Sequence, residues 1–242
     1  TSFEILSRLH AAATRWAASW VRAWPPNRVF RKQAMVFARW FFGTRRPAAA
    51  GGTRPSLTRR AAACDLPGPM RTENLAVMLT DMKGFTAATS RQSRAENAQM
   101  LALQDVLVLP VVRAFGGRRV KTIGDAYLVL FASPTAGLLC GMAIQDRLWD
   151  YGRRVPKEEK IEVRVVLSLG EVRLVGPGAA PSDVYGEAVN LAARVEAEAE
   201  AGEIWFTEAV RLVADRAQVP AEEVGTRQLK GIAEDVRLFR VP

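Results

Sequence analysis

An α+β fold is predicted for most of the chain, a ferredoxin-like sandwich preceded by a two-helix N-terminal arm, and three observations predict it. Charge is unevenly spread: residues 1–70 hold 12 of the 34 Lys and Arg but only Glu4 and Asp65 of the 25 acids. The rest carries 22 basic and 23 acidic side chains, so the formal net charge of +9 belongs to the arm. Near residue 74 the hydrophobic pattern also changes, from long amphipathic stretches to short apolar runs alternating with helical ones. Between the two regimes lies a stretch rich in Ala, Gly, Pro and Arg without any period, which reads as a linker. The division that follows is 1–45 as a basic amphipathic helical arm, 46–73 as linker and 74–242 as the main domain.

In the arm, residues 3–24 place Arg8, Arg15 and Arg22 on one helical face and Leu6, Leu9, Trp16, Trp20 and Trp24 on another. Pro25 and Pro26 stop this helix. A second amphipathic helix is predicted at 28–42, with Val29, Phe30, Val36, Phe37 and Trp40 opposite Arg28, Lys32 and Arg39. In the main domain Leu75–Thr80 reads as a short apolar strand and 93–114 as a helix. Gly116 and Gly117 turn the chain into Arg118–Ile123, which pairs with Tyr127–Phe131 across Gly124-Asp125-Ala126 as a hairpin. A helix at 134–153, a strand at 161–169, a helix at 187–199 and strands at 203–206, 222–229 and 236–241 complete the reading. Strand, helix, hairpin, helix, strand is the ferredoxin-like order.

Composition narrows the chemistry. His10 is the single histidine and lies in the arm, while Cys64 and Cys140 are too few for a disulfide framework or a thiolate cluster. Cys140 sits in an apolar helical stretch and is expected simply to be packed. Carboxylates are therefore the natural carriers of any reaction in the main domain. Arginines interrupt every apolar run in the arm, so no run approaches the ~20 residues of a spanning helix.

Three segments stand out. In Thr80-Asp81-Met82-Lys83-Gly84-Phe85-Thr86 a carboxylate ends an apolar strand, a glycine turn follows, and Thr86 can cap a new helix. Exposed N–H groups at Gly84, Phe85 and Thr86 beside Asp81 suit a polyphosphate and its magnesium. In Lys121-Thr122-Ile123-Gly124-Asp125 the aspartate lies at a hairpin tip that could converge on Asp81. Taken singly, Asp81 reads equally well as an ordinary strand-end residue, and Asp125 reads better as an ordinary turn residue. Two converging carboxylates without imidazole or thiolate favour Mg²⁺ or Mn²⁺, and two such ions suit in-line displacement at phosphorus. The third segment runs from Asp183 to Arg194, where Asn190 and Arg194 share a helix face opposite Ala188, Ala192 and Val195.

Together the segments resemble the class III adenylyl and guanylyl cyclase catalytic domain, in the family's order, over about residues 74–242. The resemblance implies that Asp81 and Asp125, with the Met82 backbone carbonyl, bind two Mg²⁺ or Mn²⁺ ions. It implies adenine selection by Lys121 and Asp183, ribose orientation by Asn190 and transition-state stabilisation by Arg194. The implied reaction is attack of the ribose 3′-oxygen of ATP on the α-phosphorus, giving cyclic AMP and pyrophosphate. Family members complete the site across a head-to-tail homodimer, so a lone monomer is expected to be inactive. Guanylyl members typically carry Glu and Cys where this chain has Lys121 and Asp183, which argues for ATP. Ser168 stands where a His or Asn is common, and Ile232 where many members place a second lysine; Lys230 is a weaker phosphate-binding candidate. A catalytically silent nucleotide-binding and dimerisation domain, and a cyclase of other base choice such as GTP, are the alternatives. No Gly-Gly-Asp/Glu-Glu-Phe segment occurs, because Gly116-Gly117 is followed by two arginines, and this disfavours a diguanylate cyclase.

The tryptophan face of the arm fits packing within a dimer and also a membrane surface. Nucleic-acid binding is not expected, since Arg and Trp alone make no recognised module. The expected location is the cytoplasm, with peripheral contact at the inner membrane surface through residues 1–45 as a further option.

Overall fold

The computed structural model describes residues 71–85, 92–176 and 181–242. The two predicted arm helices, residues 46–70 of the predicted linker and Thr86 lie outside the described residues, whereas the last linker positions, 71–73, belong to a strand. The elements run β1 (Arg71–Met82), α1 (Arg94–Ala114), β2 (Arg118–Ile123), β3 (Ala126–Phe131), α2 (Pro134–Gly152), β4 (Val163–Val175), β5 (Asp183–Tyr185), α3 (Glu187–Glu196), β6 (Ile204–Thr207), α4 (Glu208–Val213), β7 (Glu222–Arg227) and β8 (Val236–Arg240). The sheet is ordered β2-β3-β1-β4-β6-β8-β7, with β5 added to β4. Its first four strands have the ferredoxin-like arrangement that the sequence order predicts.

β1 is central, flanked by β3 and β4, which explains the unbroken apolar run Leu75–Leu79: both faces of the strand are covered. Leu75, Val77 and Leu79 share one core with Ala188, Ala192 and Val195 of α3. The alternate residues, Ala76 and Met78, face the opposite layer. There α2 lies close to the sheet because it presents glycines: a Cβ at Gly137 would stand 2.6 Å from Leu167, and one at Gly141 3.2 Å from Val165. α1 begins with a capping box in which Ser93 Oγ accepts the Glu96 N–H and Glu96 Oε2 accepts the Ser93 N–H. It ends in the Gly116-Gly117 turn, where a side chain at Gly117 would collide with Phe131 and Val112. Cys140 is buried and packed in α2, and burial pushes its thiol well above the ordinary range. Among the described residues no helix is long and apolar enough to cross a membrane.

The elements predicted for the main domain are present with shifted edges. β1 starts at Arg71 and β4 runs to Val175, because the two pair along their whole length, from Arg71 opposite Leu174 to Met82 opposite Val163. The polar residues Arg71–Asn74 gave no apolar signal, yet the ladder extends the strand through them. α3 stops at Glu196, short of the predicted 199, and β7 stops at Arg227, short of 229. β5 and α4, three and six residues long, carry too little pattern to be read from sequence.

Candidate active site

The described residues of the predicted site fall into two groups, one at each end of α3. The first is built where β1 ends. Strand alternation from Leu75, Val77 and Leu79 puts Asp81 on the α3 side of the sheet. The antiparallel register sets Asp81 opposite Arg164 of β4. Arg164 donates to Asp81 Oδ2 from Nη2 at 2.7 Å and from Nε at 3.1 Å, and it also pairs with Glu196 at the last turn of α3. Asp125 reaches the same place from the β2–β3 hairpin. Gly124 at the tip has φ +65°, a conformation that favours glycine and turns the chain tightly enough to present the aspartate inward. Asp125 is 8% exposed. Its Oδ2 accepts the Met82 N–H at 2.9 Å, and its carbonyl accepts Gln104 Nε2 of α1 at 2.8 Å.

Charge accumulates here. Burial raises the Asp125 carboxyl above its ordinary value, and the charge of Asp81 and a hydrogen bond shared with it add to the rise, against the lowering effect of the Met82 N–H. Glu196 is raised too, by burial first and then by Asp81 and Asp125, although Arg164 opposes the shift. Burial disfavours the Arg164 charge, but hydrogen bonding to Asp81 and the charges of Glu196, Asp81 and Asp125 outweigh it, so the guanidinium is held more firmly protonated than usual. Three carboxylates around one guanidinium leave the cluster short of positive charge.

This donor set fits a hard divalent cation: oxygen ligands only, in a partly dry place, with a second carboxylate, Asp125, whose charged form burial disfavours. Among the described residues no group of three or more His, Cys, Asp or Glu side chains is disposed to hold an ion alone. Asp81 and Asp125 could hold one only with oxygens from elsewhere, which is how magnesium is commonly bound beside substrate phosphates. Met82 is seen here through its N–H, which orients Asp125. Next to it, Gly84 turns at φ +75° with open space around its α-carbon, and half-buried Phe85 follows, leaving this turn accessible.

The second group lies where α3 begins. Lys121 Nζ is 2.6 Å from Asp183 Oδ1, a contact that joins β2 to β5 across 62 residues of sequence. Asp183 also accepts the Val184 N–H at 2.8 Å and the Tyr185 hydroxyl at 2.8 Å. Burial pushes the Asp183 carboxyl up, but Lys121, Tyr185 and Val184 together outweigh it and hold the group below its ordinary value. From here α3 runs ten residues, about 15 Å, to Glu196 in the first group. Asn190 and Arg194 project from its exposed face between the two. Ser168, in the place of the common His or Asn, is buried and donates to the Ala188 carbonyl at 2.6 Å, anchoring the start of α3. Lys230 is exposed beside buried Leu229.

Asp81 and Asp125 are thus brought together, Lys121 and Asp183 are brought together, and Asn190 and Arg194 lie on the helix linking the two groups. Arg164, Glu196 and Tyr185 were missed. Only the β1–β4 register reveals Arg164 as the partner of Asp81, and Glu196 follows Arg194 by two residues with no motif of its own.

Comparison with known proteins bears on the family and the fold. The profile of the family described as adenylate and guanylate cyclase catalytic domain matches residues 69–241. A serine/threonine-protein kinase, pkn2 of Myxococcus xanthus, is 48% identical over 171 residues, which is 71% of this chain and 20% of the kinase. An adenylate cyclase of Streptomyces coelicolor is 33% identical over 124 residues, 50% of this chain and 29% of that protein. The chain therefore spans only a fifth to under a third of these relatives' lengths. Among solved structures, an adenylate/guanylate cyclase/hydrolase from Silicibacter pomeroyi superposes with a TM-score of 0.62 at 28% identity, covering 72% of this chain and 99% of that one.

Proposed function

The chain belongs to the adenylate and guanylate cyclase catalytic domain family, and on that footing we propose that it converts ATP to 3′,5′-cyclic AMP and pyrophosphate as a head-to-tail homodimer. The observation that carries the choice of base is the contact of Lys121 with Asp183. An ammonium and a carboxylate side by side offer a donor to adenine N1 and an acceptor to the N6 amine. Guanine presents the reverse, an N1–H and a carbonyl oxygen, and would leave both groups opposed. This fit supports ATP over GTP within a family that contains both activities.

Asp81 and Asp125, joined by the Met82 carbonyl, are the residues that would hold two Mg²⁺ or Mn²⁺ ions. When bound, such ions supply Lewis acidity toward the triphosphate and the ribose hydroxyl. The remaining roles fall to the chain itself. The turn at Gly84–Thr86 offers N–H groups to the phosphates. Asn190 orients the ribose. Arg194 meets the charge that grows on the α-phosphoryl oxygens, where a donor already in place acts most strongly. The separation of the half-sites at the two ends of α3 supports a site shared by two copies: each copy lends its carboxylates to one nucleotide and its Lys121/Asp183/Arg194 set to the other.

Incubation with ATP, GTP, CTP and UTP in Mn²⁺ or Mg²⁺ tests the proposal. Cyclic AMP is expected as the main product, and Asp81→Asn or Asp125→Asn should abolish it in folded protein. Nucleotide binding without turnover in any metal would instead favour a silent binding domain, and preferential cyclisation of GTP would overturn the choice of base.

A further inference from the structure

Asp183 is the most fully restrained carboxylate of the second group. Its Oδ1 accepts two donors, Lys121 Nζ and the Val184 N–H, while Oδ2 accepts one, the Tyr185 hydroxyl at 2.8 Å. A carboxylate offers about four acceptor positions, so one is left, on Oδ2. The geometry that produces this is local. Asp183 and Tyr185 are two apart in β5 and so share a face, while Val184 between them is buried on the other. β5 cannot rotate away, because Tyr185 is in register with Arg173 of β4, and Gly186 lies so close to β4 that a Cβ there would stand 2.6 Å from the Glu171 carbonyl oxygen. The Tyr185 side chain is 55% exposed and lines a cleft of about 420 Å³ with Gly186, Glu187 and Leu191. An exposed phenol can hydrogen-bond to water at little cost; here its hydroxyl is committed to Asp183.

We propose that Tyr185 is a specificity-determining positioning residue: its hydroxyl fixes the Asp183 carboxylate so that one acceptor position remains, directed at the exocyclic amine of the bound purine. The inference rests on the adenine reading above and adds a residue to it. Lys121 and the Val184 N–H both hold Oδ1. Tyr185 supplies the donor on Oδ2, the oxygen that keeps the open acceptor position. Without the hydroxyl, Oδ2 loses the donor that sets its direction, and the amine loses a placed acceptor while N1, ribose and phosphate contacts are untouched.

The test compares the full chain with its Tyr185→Phe variant on ATP and on purine riboside triphosphate, which lacks the amine. Tyr185→Phe should lower kcat/KM for ATP about tenfold, a loss typical of a hydrogen bond to a charged group. Purine riboside triphosphate should change less than twofold, so the preference for the amine collapses by about the same tenfold. Equal losses on both substrates, or no loss on either, overturn the proposal. If the chain binds without turning over, the same ratio is read from the affinities of the 3′-deoxy analogues. A parent chain that prefers GTP sinks the adenine reading and this proposal together. A parent that prefers ATP, with the ratio unmoved in the variant, sinks the proposal alone. An unchanged melting temperature for Tyr185→Phe, which keeps the exposed ring, separates positioning from folding.

Discussion

Asp81 and Arg164 stand opposite each other in the β1–β4 register, and Arg164 Nη2 lies 2.7 Å from Asp81 Oδ2. The cation that partly offsets the carboxylate cluster is therefore built into the sheet. It also ties α3 to the strands, through its second partner Glu196.

Removing that cation should be costly. Arg164→Gln deprives Asp81 and Glu196 of their shared guanidinium, and a loss of about 1–3 kcal/mol is expected in metal-free protein. In a thermal melt this corresponds to a fall of several degrees for a domain of this size. Mn²⁺ should return part of the loss, because a divalent ion can take over the charge balance. An unchanged melting temperature would mean that the ion pair adds nothing net.

The raised Asp125 carboxyl fixes the sign of a pH effect. As pH rises past the ordinary carboxylate range, the unfolded chain releases this proton before the folded one, so the folded state loses stability between the ordinary value and the raised one. Asp125→Asn has no such proton and can still accept the Met82 N–H. Metal-free Asp125→Asn should therefore be at least as stable as the parent at neutral pH, with the difference closing as pH falls below about 4. Mn²⁺ should stabilise the parent and not the variant. Urea melts across pH, with and without Mn²⁺, check both halves.

The proposed base choice can be challenged at Lys121 and Asp183. Lys121→Glu combined with Asp183→Cys removes the donor and acceptor that match adenine and substitutes the pair typical of guanylyl members. The ratio of kcat/KM for ATP over GTP should drop by at least about 100-fold, measured by product chromatography on each nucleotide. A ratio that stays put would place the discrimination elsewhere.

Much of this arrangement was legible in the sequence, but unevenly. The apolar run at Leu75–Leu79 and the turn glycines Gly116 and Gly124 signalled the central strand and the hairpin, because burial on both faces and positive φ each demand particular residue types. The convergence of Asp125 on Asp81 followed from the same topology. Lys121 and Asp183 were picked out only by family resemblance, since no local pattern reports a contact 62 residues apart. Arg164, Glu196 and Tyr185 stayed hidden for a related reason. Each is an ordinary polar residue at a strand or helix position, and only register or side-chain direction gives it a partner. The predicted arm helices fall outside the described residues.

The proposed division of labour between two copies is open to a single decisive assay. Asp81→Asn damages the carboxylate half-site, Arg194→Ala the opposite one, and each variant alone should be inactive. Mixed in equal amounts and allowed to exchange subunits, half the dimers are heterodimers, each with one intact site. Cyclic AMP production should then recover to about a quarter of the parent rate. Heterodimers that form and remain silent, or a single variant that retains activity, would contradict a nucleotide held between the carboxylates of one copy and the arginine of the other.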